Sequence, residues 1–171
     1  MAPTHGWEDV AADETITARK ALMSGLLPLA VVASLCVFSA MLCEHHPSVW
    51  KLTLQALMTF AEIMLTYFIG MAIMMATLPH ISYAKKISEE RVGLYLNFAV
   101  GMMAVITLVE NLTPASLPIF RLLPAFVLAV MGLGRNYLSI DEDNTFKHLL
   151  VIALAVLVPF YLLREIFSLF Y

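Results

Sequence analysis

Five long apolar stretches separated by short polar segments set the pattern of this chain. Ala21–Cys43 is uncharged over 23 residues and Val92–Val109 over 18. Leu52–Leu78 carries one charge, Glu62, and Ala115–Gly134 carries one, Arg121. Leu149–Tyr171 is interrupted near its end by Arg164 and Glu165. A helix needs roughly 20 residues to cross about 30 Å of hydrocarbon, so each stretch is long enough or nearly so. The pattern predicts an all-α fold, a polytopic transmembrane helical bundle of about five spans over 21–43, 52–78, 92–109, 115–134 and 149–171. Residues 1–20 form a polar tail, and residues 21–171 form one transmembrane domain without repeats.

Helix-end signals agree with these spans. Ser88 before Glu89 and Glu90 predicts an N-cap with acids in the first turn, where the helix dipole favours them. Asp141, Glu142, Asp143 and Asn144 are expected to do the same for the fifth span. Pro79 closes the second span, and Pro114 and Pro118 mark the turn into the fourth. Pro28, Pro124 and Pro159 fall inside spans, where neighbouring helices can satisfy the freed backbone groups.

Composition narrows the class further. The 171 residues are 61% hydrophobic and 13% charged, with 10 Lys and Arg against 13 Asp and Glu. So few charges cannot cover a soluble surface. A weakly acidic chain with no basic patch beyond the membrane flanks also makes a poor nucleic-acid binder. In the tail, Glu8, Asp9, Asp13 and Glu14 precede Arg19 and Lys20, the reverse of a cleaved signal peptide, so the tail is expected to be retained. Arg19, Lys20, Lys85, Lys86, Arg91, Arg135 and Lys147 fall on one side of a five-span arrangement; Lys51, Arg121 and Arg164 fall on the other. Positive residues favour the cytoplasm, which predicts a cytoplasmic N-terminus and an external C-terminus. Short loops and this bias fit a bacterial inner membrane best.

The second span holds the candidate chemistry. Gln55, Thr59, Glu62 and Thr66 recur at spacings of four, three and four, and so share one helical face that Gly70 extends. Glu62 lies about 15 Å from the nearer end of its span, Arg121 about 9 Å and Arg164 about 10 Å from theirs. An ionised, unpaired carboxylate at such depth costs several kcal/mol, so Glu62 is expected to pair with an arginine or to stay protonated. Glu62, Arg121, Arg164, Glu110 and Glu165 therefore form one expected polar cluster. It would serve either as an interhelical salt-bridge set or as a relay for protons, ions or an anionic substrate.

Other features read more simply. Gly93, Asn97 and Gly101 share a face of the third span, as in small-residue helix packing, and Ser24, Ser34 and Ser39 extend such seams in the first. Cys36 and Cys43 sit two turns apart, too far for a bridge, and read as small buried side chains. Met71 and Met75, with His45 and His46 in the first loop, could hold Cu(I), but methionine is also ordinary packing filler. His80 and His148 could ligate haem only if they met inside the bilayer, and both are expected to be solvated at its surface. Asn111-Leu112-Thr113 spells a glycosylation sequon, discounted for the proline after it. No nucleophile elbow, phosphate loop or zinc spacing occurs, and no cofactor is expected. The leading expectation is a non-catalytic subunit or partner in a larger membrane assembly, with the lipid bilayer and other membrane proteins or copies of itself as partners. A small transporter or channel using Glu62 is the alternative, and an intramembrane redox or enzyme subunit the third.

Overall fold

Backbone groups inside a bilayer find no water, so an apolar run of this length must close its hydrogen bonds within a helix. In a computed structural model, which describes residues 17–42, 48–82, 88–113 and 122–170, the chain does so. The described residues form five helices: α1 Ala18–Met41, α2 Val49–His80, α3 Glu89–Leu112, α4 Leu123–Leu138 and α5 Glu142–Ser168. They contain no strand, only an isolated antiparallel bridge between Ser82 and Ile140. Four of the five are long and apolar enough to cross a membrane, and α4 is shorter. This is the fold of a helical membrane protein.

Boundaries shift where charge misleads an apolar count. Helices α1, α3 and α5 begin three to seven residues before the predicted spans, because charged residues are at home in a first turn. Helix α4 begins at Leu123, with Pro124 in its first turn. That is a position where the missing N–H costs nothing, so Pro124 starts this helix instead of interrupting it. The residues from Ala115 to Arg121, assigned to this span from the sequence, lie outside those described, as do Pro114, Cys43, Lys85 and Lys86.

The two internal prolines leave a local signature. A proline lacks the N–H that would bond to the carbonyl four residues earlier and clashes with it. Pro28 follows a π-helical turn at Leu22–Leu26, and Pro159 follows another at Ala153–Leu157. The wider turn relieves the clash without breaking the rod.

Helix α3 is the axis of the bundle: 61% of its apolar window is buried, against 28% for α1. It packs on α1, α2 and α4, while α5 closes the other side against α2 and α4. The core interleaves Tyr95, Leu96 and Val100 of α3 with Ile63 and Met74 of α2, Met131 of α4 and Ile152 and Phe160 of α5. Ala30, Ala33, Ala99, Ala104 and Ala155 are fully buried, and small side chains of this kind let membrane helices approach closely. Outward faces carry Leu57, Phe68, Phe98, Phe126 and Leu154, which suits lipid and not water.

Contacts sort the helix ends onto two sides. On one, the Ala18 N–H donates to Glu90 Oε2 at 2.7 Å and the Ser82 hydroxyl to the carbonyls of Leu138 and Ser139 at 3.1 and 2.9 Å. Arg135 pairs there with Glu142 and donates to the Thr145 hydroxyl at 2.9 Å. On the other side, Ser39 donates to the Asn111 carbonyl and Arg164 meets Glu110. Ser88 occupies the N-cap of α3 but makes no side-chain cap bond; Glu90 instead caps the start of α1. Asp141, in the N-cap position before Glu142, likewise makes none.

Candidate functional site

The polar stripe of α2 faces into the bundle. Thr59, Glu62, Thr66 and Gly70 are buried and Gln55 is half-buried, since α1, α3 and α5 all pack around this helix. The Thr66 hydroxyl donates to the Glu62 backbone carbonyl at 2.7 Å and so leaves the Glu62 side chain alone. That side chain belongs to a residue only 5% exposed, and its Oε1 has no hydrogen-bond partner. The charges that act on it are those of Arg164 from α5 and Glu110 from α3.

The expected ion pair falls elsewhere. Arg164 Nη2 stands 2.8 Å from Glu110 Oε2, and among the described residues Glu62 makes no ion pair. The contact is close in distance but off the line of a directed hydrogen bond, since Glu110 Oε2 has no such partner. Glu165 is exposed: one residue further along α5, it points about 100° around the helix from Arg164. Arg121 lies outside the described residues. The structure thus brings Glu62, Glu110 and Arg164 together and turns Glu165 away.

Beyond Thr66 the stripe is closed. A Cβ on Gly70 would lie 2.7 Å from the Ala155 carbonyl oxygen and 3.2 Å from Leu96 Cδ2. Ala155 is the residue four before Pro159, so its carbonyl lacks the usual helical donor. Gly70 is the surface against which that freed carbonyl rests. Among the described residues, the polar stripe of α2 therefore ends at Gly70.

A second polar set lies at that opposite end. The Tyr95 hydroxyl donates to the Met131 carbonyl and lies 3.1 Å from His148 Nε2, tying α3, α4 and α5 together. His148 is fully buried, its Nδ1 without a hydrogen-bond partner, which corrects the expectation of a solvated interfacial histidine. Tyr95 supplies the polar contact that water would have given. His80 is exposed, so the two histidines occupy unlike surroundings and do not resemble a facing haem pair.

The seam between α1 and α3 combines close packing with hydrogen bonds. A Cβ on Gly93 would meet Ala18 Cβ at 2.7 Å. Asn97 Nδ2 donates to the carbonyls of Ala18 and Gly93 at 3.1 and 2.9 Å, and Asn111 Nδ2 to that of Ala33 at 3.0 Å. Ser24 and Ser34 bond within their own helix. Between these fastenings the seam opens into a groove of about 350 Å³ lined by Gly25, Leu29, Asn97, Gly101, Met102 and Val105 among others. Neither Gly25 nor Gly101 has any heavy atom within 4 Å of where its Cβ would stand.

Met71 and Met75 are half-buried and packed against the core, Cys36 is a half-buried free thiol, and His45 and His46 lie outside the described residues. No group of three or more His, Cys, Asp or Glu able to hold a metal occurs among the described residues. Sequence reasoning missed the Tyr95–His148 pair, whose members are 53 residues apart, one in the third apolar run and one just before the fifth. No family model, curated protein or solved structure matches the chain.

Proposed function

We propose that the protein is a non-catalytic component of a larger membrane assembly, placed in the bacterial inner membrane and joined to neighbouring helices along the α1–α3 groove. The observation that carries this reading is the pair of open glycines, Gly25 and Gly101, on a face that the described residues leave unfilled. Lipid tails are as apolar as leucine, so helices associate in a bilayer through close packing, and exposed glycine faces permit backbone approach. Helix α1 is also the least buried of the long helices.

The test is cross-linking and mass spectrometry in native membranes for the wild type and a Gly25→Leu/Gly101→Leu double variant. Wild-type protein should be recovered with a partner or a second copy, and the variant should stay folded while losing it. A wild type found only as a monomer would overturn the reading. A small transporter or channel is the second reading, favoured by the unpartnered Oε1 of buried Glu62. The close packing of Gly70 on Ala155 weighs against it.

A further inference from the structure

Among the described residues, the cluster at the Glu110 end of the bundle is out of charge balance. Two carboxyls, Glu62 and Glu110, share the field of one guanidinium, Arg164, and the guanidinium lies against Glu110. Arg164 cannot give up its proton. With both acids ionised, the site would hold a surplus negative charge among apolar helices, which a bilayer strongly disfavours. Glu110 keeps its cation and is partly exposed, with 21% of its side chain accessible. Glu62 is 5% exposed and has an unpartnered oxygen.

Among the described residues, the groups facing Glu62 offer no other compensation. Helix α3 contributes Glu110, and α5 contributes Arg164 and Tyr161, whose hydroxyl feels the same three charges. The half of α1 at this end, Val31 to Met41, holds Cys36 as its one titratable side chain. On α2 itself the nearest charge is Lys51, exposed three helical turns away. A metal ion would need several oxygen ligands, and no cluster of that kind occurs among the described residues. A proton needs one.

We propose that Glu62 is a proton-binding site that exchanges with the aqueous side at the Glu110 end only. Gln55 and Thr59 continue the polar stripe from Glu62 toward the start of α2, whereas Gly70 seals the stripe in the other direction. The proton enters from and returns to the same side, and once it leaves, Glu62 competes with Glu110 for Arg164. This holds whether or not the α1–α3 groove binds a partner.

Infrared spectroscopy of the full-length protein in sealed proteoliposomes tests the proposal. At neutral pH the wild type should show the carbonyl stretch of a protonated carboxyl that Glu62→Gln lacks. Glutamate labelled with ¹³C at the side-chain carboxyl should shift that band in the unaltered protein, an assignment that does not depend on the variant folding. Raising pH on the Glu110 side should abolish the band, and raising it on the opposite side should leave it. Glu110→Gln, which frees Arg164 for Glu62, should abolish it at lower pH. A wild type without a label-sensitive band, or a band that responds from the opposite side, would overturn the proposal.

Discussion

Glu62 and Glu110 are both glutamates near the same end of the bundle, yet their surroundings give them opposite tasks. Glu110 is half-buried in the last turn of α3 and meets Arg164; Glu62 is enclosed and makes no ion pair among the described residues. Double-mutant cycles should separate them. Arg164 and Glu110 should show a coupling of about 1 kcal/mol or less, as expected for a pair that is partly solvent-exposed. Glu62→Gln should give no coupling of that size with Arg164→Gln, since no ion pair is broken; thermal unfolding of singles and doubles in detergent reads both. The stripe through Glu62 was legible because a repeat of four, three and four can only be one face of a helix. The partner of Arg164 was not. Glu62, Glu110 and Glu165 all lie toward the same side, and only the position of Arg164 on α5 selects among them.

At the scale of helices, the pairings rest on backbone approach and on a few buried polar groups. Gly70→Ala should destabilise the bundle by about 1–3 kcal/mol, because its Cβ would strike a backbone oxygen that cannot swing aside. Gly101→Ala meets open space and should be neutral, or stabilising by up to about 1 kcal/mol through helix propensity. Unfolding midpoints of the two variants compared side by side check both signs. Tyr95→Phe should cost about 1–3 kcal/mol, since the buried His148 would lose the partner of its Nε2; an unchanged midpoint would show that the hydroxyl does not hold these helices. Helix existence could be read from apolar length alone. The use of Pro159 could not, because a proline reads as a defect until the helix that receives its freed carbonyl is known. Gly70 was placed on the correct face, but its contact with Ala155 joins residues far apart in sequence, which no periodicity reports.

For the whole molecule, the sides of the bundle follow from contacts among helix ends, independently of any charge rule. Glu90 caps the start of α1, and Ser82 binds the turn after α4, where Ser139 adopts a left-handed conformation with φ 57°. Arg91 lies 5.9 Å over the Tyr137 ring, and Lys147 donates to Asn144 at 3.0 Å. Arg19, Lys20, Arg91, Arg135 and Lys147 therefore gather at one end, and Lys51 and Arg164 lie at the other. Packing and charge counting reach the same two-sided arrangement by separate routes, which gives the topology a sharp test. In a background with Cys36 and Cys43 replaced by alanine, cysteine placed at exposed Arg19 or Asp143 should react with a membrane-impermeant thiol reagent only after cells are opened. Cysteine at exposed Glu165 should react in intact cells. The positive-inside rule predicts which side is which, and the helix contacts predict that Arg19 and Asp143 behave alike. If Arg19 and Asp143 were labelled from opposite sides, the bundle described here would be wrong. If the two agreed but Glu165 joined them, α5 would not cross the membrane. A reversal of all three would leave the fold standing and overturn only the orientation.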